Sequence, residues 1–245
     1  VVGCEVNTAF KLTEGAGPLV VHRADQLQAP RAEELFGGAG LLAVDGIEWD
    51  ADLKLIRTAL VKKKRKFKEP FIEKDPPKEV RKELRKLEAH AERLFAQLYP
   101  SFKSVETRVS FRPMITGPEP LHFDTYGGEA PMVTAYINVS GVPRVYGIGP
   151  NFPALLKTHP KTMRSLAEEG GDLSYILRQL TAADNGPLDS RAPRHRVEFA
   201  PGAIWFFNAK TVSHEVIYGT GALGVSWECP DCGAPMQADL LKELG

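Results

Sequence analysis

Cysteine is scarce in this chain: Cys4, Cys229 and Cys232 are the 3 thiols among 245 residues. Three scattered thiols make no disulfide framework, and such usage fits a reducing compartment. Cys229-Pro-Asp-Cys232 has the spacing of half a zinc site, but no second cysteine pair exists to complete four ligands. The expectation there is a tight turn after the last core strand. Net charge is also missing, since 31 Lys and Arg balance 31 Asp and Glu. That removes a global electrostatic pull toward nucleic acid, so no nucleic-acid partner is expected. No apolar run reaches the length of a membrane span. The first residues, Val1-Val-Gly-Cys4, carry neither the cationic start nor the apolar core of a secretory leader. The expectation is a cytoplasmic protein. One local imbalance stands out, the cationic run Lys62-Lys-Lys-Arg-Lys-Phe-Lys68. Its ordinary reading is a solvated loop. The alternative is peripheral contact with the anionic inner face of the cytoplasmic membrane.

What is present is patterned. Residues 1–103 read as an N-terminal α/β segment packed on a core. It has strands near 18–22 and 41–44, a short helix at 31–36, and a helix capped by Asp50 that runs to about residue 60. Its longest helix is expected over 78–98. Val80, Leu84, Leu87, Ala91, Leu94, Phe95 and Leu98 step by three and four there, which marks one buried face. From 104 onward short strands alternate with Gly/Pro turns, at 108–113, 121–124, 133–139, 144–148, 196–199, 203–207, 212–217 and 223–227. A helical insert is expected at about 151–182. The class is α+β: a double-stranded β-helix (jelly-roll, cupin-like) core over 104–245, braced by helices, the whole forming one structural domain.

His122-Phe-Asp124 followed by a distant His214 is the motif that carries chemistry. Residues i and i+2 of a strand share a face, so His122 and Asp124 can grip one metal from one side. A returning strand supplies His214. Two histidines and one carboxylate form the facial triad of non-haem Fe(II) oxygenases, which leaves positions open for a co-substrate and dioxygen. His22, His90, His159 and His195 have no partners at ligand spacing and read as ordinary histidines.

The motifs fall in a recognisable order. Arg108-Val-Ser-Phe-Arg-Pro113, Leu121-His-Phe-Asp124, Pro143-Arg-Val-Tyr146 with Gly149, Arg191-Ala-Pro193, Val197-Glu-Phe-Ala-Pro-Gly202, and Ser213-His214 with Gly219 and Ala222-Leu223 resemble the Kdo hydroxylase family. Those are 2-oxoglutarate-dependent oxygenases that oxidise the 3-deoxy-octulosonate sugar of the lipopolysaccharide inner core. The resemblance runs from about residue 35, more closely after residue 104. It implies Fe(II) held by His122, Asp124 and His214, with 2-oxoglutarate and O2 as co-substrates and Arg144 as a candidate anchor. It also implies a small or lipid-linked acidic saccharide as substrate. The segment Thr125-Tyr-Gly-Gly-Glu-Ala-Pro131 departs from the family pattern. Two other readings therefore stay open: an oxygenase of the same fold acting on another small molecule, such as a natural-product intermediate, and a jelly-roll module that binds sugar or metal without turnover.

The distal carboxylate of 2-oxoglutarate needs a cation, and no Arg or Lys occurs between His214 and Lys242. Arg144 is the leading choice, because a guanidinium matches a carboxylate bidentately. Arg108 and Arg112 are runners-up, an even step apart in one strand. Thr134, Tyr136 and Asn138 alternate on one face and are candidates to line the pocket. Asn208 precedes the loop of the last ligand and is a candidate co-substrate contact. Tyr126 flanks the metal as a candidate substrate contact. Trp205, Phe207 and Trp227 read as core.

Overall fold

The computed structural model describes residues 19–23, 29–38, 40–62, 77–112, 119–124, 130–168, 179–180, 187–188, 192, 194–234 and 236–242. Strand β1 (Leu19–Arg23) runs parallel to β2 (Leu41–Asp45), with helix α1 (Ala29–Gly37) between them in the chain. Helices α2 (Leu53–Lys62) and α3 (Lys78–Leu98) follow. The remaining strands are β3 (Glu106–Arg112), β4 (Glu119–His122), β5 (Met132–Asn138), β6 (Arg144–Asn151), β7 (His195–Phe199), β8 (Ile204–Asn208), β9 (Val212–Tyr218) and β10 (Ala222–Glu228). They build a six-stranded sheet of order β1-β2-β8-β5-β10-β3 and a four-stranded sheet of order β4-β9-β6-β7.

Three layers follow from which face each residue takes. On β5, β8 and β10 the side chains of Val133, Ala135, Ile137, Ile204, Phe206, Leu223, Val225 and Trp227 join the cluster under α3. The helix brings Val80, Leu84, Leu87, Ala91, Leu94, Phe95 and Leu98, the face its periodicity predicts. Phe95 stacks on Trp227 at 4.5 Å between ring centroids. The alternate residues Tyr136, Trp205, Phe207 and Ala222 turn the other way. They meet Tyr146, Ile148, Val197, Phe199, Val212 and Val216 of the four-stranded sheet. This explains why β5 and β8 are buried along their whole length: both faces are covered. Helices α4 (Phe152–Thr158), α5 (Pro160–Glu168) and α6 (Gln237–Lys242) gather a third cluster around Leu121 and Phe123.

The structure differs from expectation in several places. The N-terminal segment is woven into the six-stranded sheet, since β2 pairs with β8 along its length. The cap of α2 is Asp52, whose Oδ1 accepts the Leu55 N–H at 2.9 Å. Asp50 lies too far from the first turn, and its carboxylate meets Arg93 at 3.3 Å. The insert after β6 is broken between α4 and α5, because Pro160 begins a new helix. Strand β4 stops at His122, so Asp124 is not a strand residue. Helix α6 was not expected from the sequence. Residues 63–68 of the cationic run lie outside the described residues.

Candidate metal centre

His122 ends β4 and pairs in register with His214 of β9. Directly opposed residues on antiparallel neighbours project to the same face. The two imidazoles accordingly stand 4.6 Å apart between ring centroids. Asp124 is placed by a different device. Its N–H donates to the Ala209 carbonyl at 2.9 Å, in the turn between β8 and β9. Asp124 Oδ1 then lies 3.6 Å from His122 Nε2 and 3.8 Å from His214 Nε2. The three ligand atoms all fall within 4.8 Å of one another.

The donor chemistry fits a metal ion. His122 Nδ1 lies 2.6 Å from the Pro120 carbonyl, and His214 Nδ1 lies 3.0 Å from the Val212 carbonyl. A carbonyl only accepts, so each Nδ1 donates to it, and each Nε2 is the ring nitrogen that faces Asp124. This backing by hydrogen-bonded carbonyls is how metal-binding histidines are usually oriented. The separations of 3.6 and 3.8 Å are below twice a metal–ligand bond of about 2.0–2.2 Å. His214 and Asp124 are buried, while His122 stays partly open to solvent. Phe207 meets the His214 ring edge-on at 5.1 Å.

The turn from β8 to β9 ties the site together. Asn208 Oδ1 accepts the Lys210 N–H at 3.1 Å, and the Asn208 carbonyl accepts the Thr211 N–H at 3.0 Å. The Lys210 side chain is buried, and its ammonium donates to the Ala130 carbonyl at 2.7 Å. Asp124 and Ala130 are therefore pinned on the consecutive residues Ala209 and Lys210. Sequence reasoning gave Lys210 no role. A single cation inside the apolar stretch 203–212 is the signal that points to it.

Arg144 begins β6 opposite Phe199 and is fully buried. Its Nε donates to the Tyr146 hydroxyl at 3.3 Å, and its guanidinium carbon lies 5.3 Å from the Tyr146 ring centre. Its Nη1 has no hydrogen-bond partner among the described residues. Gly219, at φ +122, packs against it: a Cβ there would lie 2.9 Å from Arg144 Cα. Tyr146 links this cation to the triad, since its ring centre is 6.3 Å from that of His214.

The other candidates are placed as follows. Arg108 is held by both carboxylate oxygens of Glu106, at 2.8 and 2.9 Å, and so is already engaged. This pairing holds the Glu106 carboxyl below its usual range. Arg112 pairs with Ala222 through the backbone, and its side chain lies outside the described set. Thr134 is buried, with Oγ1 3.2 Å from Ser226 Oγ. Tyr136 sits among Tyr146, Trp205 and Phe207. Asn138 is a structural clamp: its amide donates to the Val142 and Phe199 carbonyls and its oxygen accepts from Ser140. The Asn208 side chain serves the turn already described. Tyr126 lies outside the described residues. Of the remaining histidines, His90 packs tilted against Trp49 at 4.8 Å between ring centres, where desolvation lowers its pKa. His159 follows α4 on the surface, and the His22 side chain is not described. His195 is buried opposite Ile148, which also pairs with His214. Cys229 is buried and its thiol reaches the Trp227 carbonyl. The Cys232 N–H closes a turn onto the Cys229 carbonyl.

Fold and site together define a two-sheet protein with a His-x-Asp and distal-His candidate metal centre. No family model and no curated protein sequence matches the chain. Solved structures do match. The Kdo hydroxylase KdoO, a non-haem Fe(II) alpha-ketoglutarate-dependent dioxygenase, is similar in its apo form over 92% of this chain and 95% of its own, with 17% identity and a TM-score of 0.63. Its cobalt(II) complex gives the same values. Its complex with alpha-ketoglutarate and Fe(III) gives a TM-score of 0.62 at 17% identity, over the same shares of each chain. At that identity the likeness is one of fold.

Proposed function

We propose that the chain is an Fe(II)- and 2-oxoglutarate-dependent dioxygenase that hydroxylates an acidic sugar, with the Kdo residue of the lipopolysaccharide inner core as the substrate of first choice. The triad carries this reading: two imidazoles and a carboxylate converge, each imidazole backed by a carbonyl. The two facing sheets support a double-stranded β-helix. KdoO, which shares the fold, has been solved with alpha-ketoglutarate and with succinate.

His122, Asp124 and His214 would hold the iron. When bound, it supplies dioxygen chemistry in which decarboxylation of 2-oxoglutarate drives hydroxylation of an unactivated C–H bond. The chain's own task is binding, orientation and exclusion of water. Arg144 is the proposed partner of the distal carboxylate, because it is a fully buried guanidinium with an unused N–H. Tyr146 packs on Arg144, His214, Tyr136 and Trp205, so aromatic rings lie against both the cation and the triad. The cationic run at 62–68 supports delivery of a lipid-linked substrate at an anionic membrane surface. Among the described residues no helix is long and apolar enough to cross a membrane. The departure of 125–131 from the family pattern favours a second reading, another small-molecule substrate on the same chemistry.

The test is Fe(II) loading without oxygen, followed by succinate release on admitting air, across Kdo saccharides and a panel of small acids. About one iron per chain and substrate-dependent succinate are expected, with both lost in His122→Ala and His214→Ala. Full turnover in those variants sinks the assignment. Metal binding without succinate for any substrate points to a non-catalytic module.

A further inference from the structure

Two buried donors lie in the same aromatic cage with nothing to donate to among the described residues. One is Arg144 Nη1 and the other is Trp205 Nε1. Both residues have no exposed surface. Phe199 connects them: it pairs with Arg144 in register and stacks on Trp205 at 3.9 Å and 8°. Tyr146 connects them again, with the Trp205 ring at 5.3 Å and the Arg144 guanidinium carbon at 5.3 Å from its own centre. Trp205 projects from β8 into the space between the sheets. A purely structural tryptophan there is puzzling, because an unsatisfied buried N–H costs stability, and phenylalanine would fill the space without it.

We infer that Trp205 is a co-substrate-binding residue whose indole N–H donates to the same anionic group that Arg144 pairs with, namely the distal carboxylate of a 2-oxo diacid. This rests on the oxygenase reading and adds a residue to it. A carboxylate has about four acceptor sites on two oxygens, enough for a guanidinium and an indole at once. The Trp205 N–H then has its partner only in the loaded enzyme. It also makes the pocket selective for diacids, since a 2-oxo monoacid leaves both donors unsatisfied.

The experiment is Trp205→Phe, which keeps a stacking ring and deletes the donor. Binding of 2-oxoglutarate to the Co(II)-loaded protein is measured by titration, and KM and kcat by succinate release. The expected result is an affinity for 2-oxoglutarate weakened about tenfold, as for one hydrogen bond to a charged acceptor, with kcat nearly unchanged. Binding of 2-oxobutyrate, which lacks the second carboxylate, should be unaltered. Co(II) affinity should also be unaltered, which a general loosening of the core would not allow. Unchanged 2-oxoglutarate affinity in Trp205→Phe overturns the inference, as does an equal loss for 2-oxobutyrate. If wild type itself does not bind 2-oxoglutarate, the oxygenase reading falls first and this inference with it. Should Trp205→Phe not fold, benzothienyl-alanine at position 205 removes only the N–H, and the same outcomes decide.

Discussion

At the residue scale, the three candidate ligands are held by backbone carbonyls and one turn more than by each other. His122 and His214 lean on the carbonyls of Pro120 and Val212. Asp124 hangs from Ala209, and the neighbouring Lys210 ties down Ala130. Removing that ammonium frees one end of the segment that carries the carboxylate ligand. Lys210→Met should weaken Co(II) binding by about tenfold to a hundredfold, the usual cost of losing a residue that orients a ligand. A titration followed by the d–d absorption of bound cobalt checks it, and wild-type affinity would remove Lys210 from the site. The His-x-Asp and distal His were legible in the sequence because metal chemistry dictates residue type and spacing. Lys210 and Trp205 were not, because their roles depend on what lies across a turn or a sheet.

At the element scale, helix and strand signals differ in how much they explain. The periodicity of α3 placed it at 78–98, and the structure has Lys78–Leu98 with that apolar face buried. Its anchorage was not visible. Glu83 accepts the Asp52 N–H at the start of α2 and the Lys86 ammonium, both at 2.8 Å, and these partners hold its carboxyl below the usual range. Leu87, with no exposed surface, should cost about 2–5 kcal/mol as Leu87→Ala in urea unfolding. Metal affinity of the folded variant should stay at the wild-type value, because α3 lies on the face of the six-stranded sheet opposite the site. Lost metal affinity would show that the two faces are coupled. Gly219 is the reverse case, a turn residue that packs against the proposed anchor Arg144. At φ +122 an alanine is strained, and its Cβ would strike Arg144. Gly219→Ala should cost about 1–3 kcal/mol and raise the KM for 2-oxoglutarate, measured by succinate release. A destabilised variant with unchanged KM would separate Gly219 from the anchor.

At the scale of the whole molecule, Cys229 offers a reporter. It follows β10, is fully buried, and burial pushes its thiol up to about 12. Thiolate is the reacting form, so at pH 8 the native thiol is both covered and protonated. Alkylation at Cys229 should therefore proceed through global opening. A metal that binds only the folded chain suppresses opening by mass action, about a hundredfold at a hundred times its dissociation constant. Mass spectrometry of iodoacetamide labelling with and without Co(II) tests this. Slowing in wild type and none in His214→Ala is the expected pair. Equal rates in both would mean that the metal does not bind the native fold.

The sequence by itself determined most of the strands, the long helix and the chemical identity of the candidate ligands. Period-two strands, a period-three-to-four helix and Gly/Pro turns are local, and so is the pairing of His with Asp two residues on. It also determined that no cation follows His214 until Lys242, which turned attention to Arg144. Only the tertiary structure decided that β2 joins β8, that His122 meets His214 in register, and that Arg108 is already paired with Glu106. It alone brought Arg144 and Trp205 into one cage. The reason is that register and burial are properties of pairs far apart in the chain. A buried donor without an acceptor can be recognised only once everything around it is in place.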